Sequence, residues 1–342
     1  MDFRLTRDQT ALRDGVRELL ARRFGPERLR AAVDGGPPEE VWAALADAGL
    51  FALRRPERVD APGPGGLGLG LAEAVLVFEE LGRALVPGPL VATELAAVHG
   101  AAAVDGSGLA GVVRVSGPHR RGPLLVERLP ELSVLLLLDP DAGEVRTVAA
   151  GQLADGSRQV RSVDPLTPLW EVVGPLPRGE PLPGAEPGRV RAEGTLLTAA
   201  VQVGLAARAV ESAVGYAARR EQFGRPIGAF QAVQHLCAEM LARLEPARVA
   251  VRAAALAHSP AEGAGAEVAG AKLLADEAAV RGARDCLQVH GGMGFTWEAD
   301  VHLLLKRAWA LEHTFAGAAE CAEELAIGLL SGMADTCVGH VS

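Results

Sequence analysis

The sequence predicts an α+β fold, in which a helical N-terminal domain, a small β domain and a C-terminal helical bundle follow one another. Three observations support this prediction. Apolar residues recur at helical spacing up to about residue 95. Short strand-like runs between Gly, Pro and Asp turns follow, and then long helical stretches return. The predicted domains are therefore 1–95, 96–188 and 189–342.

Three amphipathic segments predict the helices of the N-terminal domain. They are ALRDGVRELLARRF, EEVWAALADAGL and LAEAVLVFEELGRAL. Thr6 is expected to cap the first helix, and Pro38 with the two glutamates after it suits the start of the second. The glycine-rich stretch 61–70 lacks the Lys-Ser/Thr ending of a phosphate-binding loop, so we interpret it as a linker.

The middle domain is predicted from five short apolar runs between turn residues. They are GVVRVSG, PLLVERL, SVLLLLDP, EVRTVAA and LWEVVG. Such runs are typical of a small, mostly antiparallel β domain, which the Pro/Gly-rich segment GPLPRGEPLPGAEPG closes.

The C-terminal bundle is predicted from long helical stretches with few charges on their apolar faces. They are GTLLTAAVQVGLAARAVESAVGYAARR, FQAVQHLCAEMLARLEPARVAVRAAALAH and EVAGAKLLADEAAVRGARDCLQVHGG. We expect these helices to be buried on more than one side, in a bundle that also packs against another subunit.

Composition excludes several classes of function. The 342 residues carry a net charge of −9 and only 4% aromatic residues, which argues against nucleic acid as a partner. The four cysteines form no CxxC pair, and the histidines and cysteines show no metal-ligand spacing; we expect reduced thiols, no metal and a cytoplasmic protein. The polar start and the short apolar run at 134–138 predict neither a signal peptide nor a membrane span.

Two stretches of the C-terminal part stand out as motifs. The first, RREQFGRPIGAFQAVQH, predicts two helices joined by a break at Gly224, Pro226 and Gly228. The second is QVHGGMGFTWEADVHLLLKRA, from Gln288 to Ala308. An arginine makes paired, charge-assisted hydrogen bonds to a pyrophosphate, and glycines let backbone approach it closely.

Together with the order of the domains, these two motifs resemble the acyl-CoA dehydrogenase family, flavoenzymes that oxidise acyl-CoA thioesters to 2-enoyl-CoA. The resemblance covers nearly the whole chain. It implies FAD as cofactor and acyl-CoA as substrate, with both motifs holding the adenosine and pyrophosphate end of a neighbouring subunit's FAD. The residues concerned are Arg220, Gln222, Phe223, Phe230, Gln231, Gln288, Gly291 and Gly292.

The roles of three further residues near these positions are interpreted as follows. His290, inside the second motif, either contacts FAD or has a packing or capping role. Trp297 and Glu298 follow the motif, and we interpret them as the start of a helix that Thr296 caps.

The catalytic base of the family has no clear counterpart. An ungapped count from the double glycine places Phe315 at the usual glutamate. A second known location, on the first bundle helix, falls on Gly194. Two nearby glutamates remain candidates. Glu312 would share a helix face with Phe315, although a surface acid near a helix end is the alternative. Glu193 is one residue off, and its alternative role is a first-turn carboxylate.

The middle domain also lacks the T-E-x-x-x-G-S-D and W-I-[TS] stretches with which family members grip the flavin ring. A chain that lacks both the base and these flavin-ring stretches resembles the short subunits of α2β2 acyl-CoA dehydrogenases, some of which act on steroid side-chain thioesters. This resemblance implies a longer homologous partner that supplies the base, and an electron-transfer flavoprotein as electron acceptor. Two alternatives stay open: a self-sufficient homotetramer that uses Glu193 or Glu312, and a non-catalytic binding or stabilising subunit.

Overall fold

A computed structural model describes residues 4–35, 39–57, 65–101, 108–117, 123–257 and 265–338, without the side chains of 329 and 331–338. Within these residues the chain forms ten α-helices and nine short strands in the predicted order, so the α+β fold is confirmed. Pro38, predicted at a helix start, lies outside the described residues, as do 61–64 of the linker.

Five helices come first along the chain: α1 (Arg7–Arg23), α2 (Pro26–Val33), α3 (Glu39–Asp47), α4 (Leu71–Arg83) and α5 (Leu90–Val98). The Thr6 cap is confirmed, because the Thr6 hydroxyl accepts from the Gln9 backbone and the Gln9 side chain accepts from the Thr6 backbone, each at 3.1 Å. The sequence analysis did not single out α2 or α5.

The described part of the linker, residues 65–70, contains neither helix nor strand, as predicted. A Cβ on Gly66 would lie 1.9 Å from the Arg55 carbonyl oxygen, so this glycine permits a close backbone approach.

The β domain consists of two small sheets. Its strands are β1 (Leu109–Arg114), β2 (Leu124–Glu127), β3 (Leu132–Asp139), β4 (Glu144–Ala149), β5 (Ser157–Val160), β6 (Leu169–Val172) and β7 (Glu180–Pro181). The sheet orders are β1-β3-β4-β7 and β2-β6-β5. Only the β1–β3 pair is parallel within these two sheets as described, so the mostly antiparallel arrangement is confirmed. Leu135 and Leu137 of one sheet share a core with Val126 and Val172 of the other.

Five helices and a small hairpin form the C-terminal part. They are α6 (Pro187–Arg219), the strands β8 (Glu221–Gln222) and β9 (Arg225–Pro226), then α7 (Gln231–Ala257), α8 (Gly265–His290), α9 (Val301–Leu311) and α10 (Ala318–Val338). Helix α8 packs against α7, α9 and α10. Helix α6 is long and apolar enough to cross a membrane, but 72% of its most apolar window is buried inside the chain, which is typical of a core helix.

The chain divides into two compact units. The bundle unit comprises Met1–Leu5, Phe78–Leu85 and Thr195–Ser342, and the sheet unit comprises Thr6–Val77 and Val86–Gly194. The boundaries at residues 95 and 188 stay predictions.

Two glycines allow the backbones of α4 and α6 to meet inside the bundle unit. A Cβ on Gly204 would lie 1.9 Å from the Glu79 carbonyl oxygen, and one on Gly82 would lie 2.0 Å from that of Val201. No side chain fits at such distances, so this helix contact requires glycine at both positions.

We expect Gly204→Ala to lower the free energy of unfolding by about 1–3 kcal/mol, because the new methyl group forces the two helices apart. The matched control is Gly282→Ala on α8, where an added Cβ meets nothing within 4 Å. There the higher helix propensity of alanine should raise stability by up to about 1 kcal/mol. Urea unfolding of both variants measures the difference, and equal effects would contradict the proposed contact.

Candidate functional site

A short hairpin separates α6 from α7. Arg220 directly follows α6, and its backbone N–H donates to the Tyr216 carbonyl at 2.8 Å. The Arg220 carbonyl accepts from the Ile227 N–H, also at 2.8 Å, and closes the hairpin formed by β8 and β9. The predicted break between two helices is confirmed, and the hairpin gives it a defined shape.

Phe223 stands at the tip of this hairpin in a conformation that aromatic residues rarely adopt. Its φ is +54° and that of Gly224 is +77°, and two positive φ values in the loop are typical of a type I′ turn. Gly or Asn usually takes the first position, because Gly has no Cβ and the short side chain of Asn hydrogen-bonds locally, whereas most other residues cost about 1–2 kcal/mol there. The Phe223 side chain is 92% exposed, so burial within the chain does not offset this cost.

The rest of the first motif surrounds the hairpin with polar and aromatic groups. The Arg225 guanidinium lies 4.2 Å from the centre of the Phe230 ring, and Phe223 meets the same ring edge-on at 6.1 Å. The other predicted cofactor residues of the motif, Arg220, Gln222 and Gln231, are exposed. Residues 219–225 contain three arginines and one glutamate, which makes this surface positive in a chain of net charge −9.

The second motif begins at the end of α8, where Gln288 is exposed. Gly291 has a φ of +60°, which favours glycine, and a Cβ on Gly294 would lie 3.1 Å from the Leu287 carbonyl oxygen. Gly292 is different, because it has neither constraint and a Cβ there would meet nothing within 4 Å. Nothing in this chain requires its lack of a side chain, so the space is available to a bound group.

A ring stack brings the two motifs together. Tyr216, four residues before Arg220, stacks on His290, two residues after Gln288, with 4.2 Å between ring centres. The His290 Nδ1–H donates to the Cys286 carbonyl at 2.8 Å, and burial lowers the pKa of the imidazole. His290 is therefore a neutral packing residue between the ends of α6 and α8. The sequence analysis missed Tyr216, although it is the only tyrosine in the chain.

The predicted helix start at Thr296 is wrong. Helix α9 begins at Val301 with Asp300 as its N-cap residue. The Thr296 hydroxyl instead donates to the Met293 carbonyl at 2.8 Å, which ends the short 3₁₀ helix of the second motif.

Glu193, a candidate base, lies buried in the sheet unit with both carboxylate oxygens engaged. Oε1 accepts from Arg189 at 2.8 Å and Oε2 from Arg54 at 2.7 Å. Arg54 also binds both oxygens of Glu94, at 2.6 and 2.9 Å. Burial raises the pKa of Glu94 against the opposing pull of Arg54. The first-turn role is wrong for Glu193, because α6 begins at Pro187.

Glu312, the other candidate base, follows the last residue of α9 and is half-buried. It does not share a helix face with Phe315, because α9 ends at Leu311. Phe315 has a φ of +63°, and the N–H of the next residue donates to the Thr314 carbonyl at 2.8 Å, as in a γ-turn. Neither glutamate is tested as a base, and both stay predictions.

A buried lysine fixes the chain beside Glu312. The Lys272 side chain is fully buried, and its ammonium binds both oxygens of Asp276 at 2.7 and 2.8 Å. It also donates to the carbonyls of Leu311 and Glu312, at 3.4 and 3.3 Å, which end α9. This ion pair therefore ties α8 to the chain that follows α9.

These features define a class: a helical bundle with an exposed, positively charged surface at the ends of two helices. The chain belongs to the acyl-CoA dehydrogenase family. The family's N-terminal domain model matches residues 6–107 and its C-terminal domain model matches residues 192–326.

Known proteins are similar to this chain in sequence or structure over almost its whole length. An acyl-CoA dehydrogenase of Mycobacterium tuberculosis, IpdE2, is 36% identical over 317 residues, which are 88% of this chain and 91% of that protein. Among solved structures, the steroid acyl-CoA dehydrogenase Tcur3481-Tcur3483, as a G363A variant, superposes with a TM-score of 0.80 at 25% identity over 96% of this chain and 99% of that one. A chain of the ChsE4-ChsE5 complex from Mycobacterium tuberculosis superposes with a TM-score of 0.79 at 26% identity over the same shares.

Membership of the family confirms the predicted cofactor and the predicted general class of reaction. FAD is the cofactor, and the chemistry is that of an oxidoreductase acting on CH–CH bonds. The exposed arginine, the glutamines and the open space at Gly292 fit a nucleotide cofactor, since they offer donors to a pyrophosphate without a side chain in its way.

We expect Phe223→Asn to raise the free energy of unfolding by about 1 kcal/mol, because asparagine suits the first position of this turn and the exposed ring buries little. Urea unfolding of the isolated chain measures it. Phe230→Leu serves as control and should not stabilise, because Phe230 has an ordinary φ of −91°. A loss of stability in Phe223→Asn would show that the turn is not strained.

Proposed function

We propose that this chain is one subunit of an FAD-dependent acyl-CoA dehydrogenase and that it completes the FAD site of a longer homologous partner in an α2β2 complex. The reaction is the α,β-desaturation of an acyl-CoA thioester to a 2-enoyl-CoA. The proposal includes a cytoplasmic location and an electron-transfer flavoprotein that removes the electrons.

One observation carries the proposal. Phe223 is held in a strained turn and projects into solvent, three residues from the exposed Arg220. Strained residues in well-ordered surroundings are common at ligand sites, where the cost is retained because the side chain is used. Because the ring and the guanidinium are exposed on the chain's surface, a group from outside the chain is their natural ligand.

FAD fits this surface by its charge and shape. Arg220 would pair with the pyrophosphate, the Gln222, Gln231 and Gln288 amides would hydrogen-bond the adenosine end, and Gly292 would leave room for it. When bound, FAD supplies the acceptor for the hydride that leaves the acyl β-carbon. This chain's part is to bind and orient the far end of the cofactor.

The assignment of the base to the partner is supported by the ion pairs of Glu193. Glu193 already accepts from two guanidinium groups, so taking up a proton would oppose both ion pairs. For Glu312 the observed contact is with its backbone carbonyl, which accepts from Lys272, so its carboxylate stays a candidate base. A steroid or other bulky thioester as substrate is suggested by the name of one similar structure, a steroid acyl-CoA dehydrogenase. The name of the other, the ChsE4-ChsE5 complex, suggests an assembly of two different subunits.

We expect Arg220→Ala to weaken FAD binding by the mixed complex about tenfold or more, because a charge-assisted hydrogen bond contributes about 1.5–3 kcal/mol. Arg219→Ala is the matched control: it is adjacent and also exposed, but its guanidinium lies back along α6 near Gly215. That variant should change affinity less than about twofold. Fluorescence titration of the flavin-free complex with FAD measures both.

The FAD titration, together with the colour and acyl-CoA turnover of the chain alone, separates the open alternatives. A non-catalytic stabilising subunit predicts that Arg220→Ala leaves FAD affinity unchanged. A self-sufficient homotetramer predicts that the chain alone is yellow and turns over acyl-CoA, and that Glu193→Gln or Glu312→Gln abolishes this turnover.

A further inference from the structure

An apolar patch lies within the second motif, at and just after its glycines. Its members are Met293, Phe295 and Trp297, which are 42%, 75% and 62% exposed, and we call them the Trp297 patch. These three residues alternate with Gly294 and Thr296, and large exposed apolar side chains clustered in this way are typical of interaction sites. The bundle unit holds 12 of the 16 large apolar side chains that are exposed among the described residues, and the sheet unit holds the other 4.

Trp297 is exposed, yet its ring is held in place. His302 meets it at a right angle with 4.5 Å between ring centres, and the Lys306 ammonium lies 4.4 Å from the ring centre. The His302 Nδ1 is buried, with no hydrogen-bond partner among the described residues. Burial, together with the Lys306 charge, lowers the pKa of His302, so a neutral ring packs against the indole. A side chain fixed before binding loses less entropy when a partner covers it.

Charged residues lie close to Trp297 along the chain, and one of them, Lys306, contacts its ring. Glu298, Asp300 and Lys306 lie within nine residues of it along the chain. An aromatic anchor inside a polar rim is the usual anatomy of a protein–protein hot spot, in which Trp is enriched. Two carboxylates against one ammonium disfavour an anionic lipid surface or a nucleic acid, so the charge pattern favours a protein.

We propose that the Trp297 patch is the main anchor by which this chain binds the longer homologous subunit. The inference rests on the proposed function. Phe295 ends the same short 3₁₀ helix in which Gly291 and Gly292 begin, so a subunit whose cofactor lies against Gly292 also covers the patch. The patch supplies binding to the partner, and Arg220 with the glutamines supplies binding to the partner's cofactor.

The test compares two tryptophan variants of this chain, each in the mixed complex with the longer subunit. Trp297→Ala should raise the Kd between the two subunits at least about 30-fold, equivalent to about 2 kcal/mol. Trp309→Ala is the matched control, because Trp309 is the same residue type on α9 and is 37% exposed; its Kd should change less than about threefold. Sedimentation velocity measures the Kd between the subunits. FAD affinity is then measured with both subunits at concentrations above that Kd.

The outcomes separate this inference from the proposed function. With Trp297→Ala, FAD affinity of the assembled complex should stay within about twofold of wild type. An unchanged subunit Kd would overturn the inference, and so would a loss confined to FAD affinity, which would place Trp297 in the cofactor site. If Trp297→Ala abolishes self-association of the lone chain instead, the occupant is a second copy and the inference also fails. A wild-type chain that forms no complex with the longer subunit contradicts the proposed function itself.

Discussion

The stack of Tyr216 on His290 is the contact on which the proposed cofactor surface depends. It joins the end of α6 to the end of α8 inside the bundle unit, at 4.2 Å between ring centres. Arg220 lies just beyond one ring and Gln288 just before the other. Tyr216 is half-buried and His290 is buried, while Arg220 and Gln288, four and two residues away along the chain, are exposed, which is how a rigid scaffold presents binding groups.

The surface built on this contact is suited to a ligand from outside the chain. A strained and exposed aromatic residue, a cluster of arginines and a glycine that faces open space lie at two adjoining helix ends. The charged groups expected for proton transfer show a different pattern. The carboxylate of Glu193 is occupied by guanidinium groups within the sheet unit. A proposed cofactor surface, together with a candidate base whose carboxylate is already ion-paired, is the asymmetry on which the heteromeric proposal rests.

Much of the fold was predictable, because periodicity reports which faces are buried. The helices around Thr6 and Gly224 and the five expected strands were found. The parallel pairing of β1 with β3 was not predictable, since it depends on contacts distant in sequence. The site was predicted as a set of residue types, but its geometry was not. Local spacing did not reveal that Phe223 takes a positive φ, that Glu193 meets Arg54 from 139 residues away, or that Thr296 ends one short helix instead of capping the next.

The central claim is that this chain completes a cofactor site that belongs to another subunit. Native mass spectrometry with flavin absorbance, applied to the chain alone and after co-expression with the longer homologous subunit, tests it most directly. The account predicts a colourless chain on its own and a yellow α2β2 complex with one FAD for each αβ pair. A yellow homotetramer of this chain alone that is reduced by an acyl-CoA would contradict it.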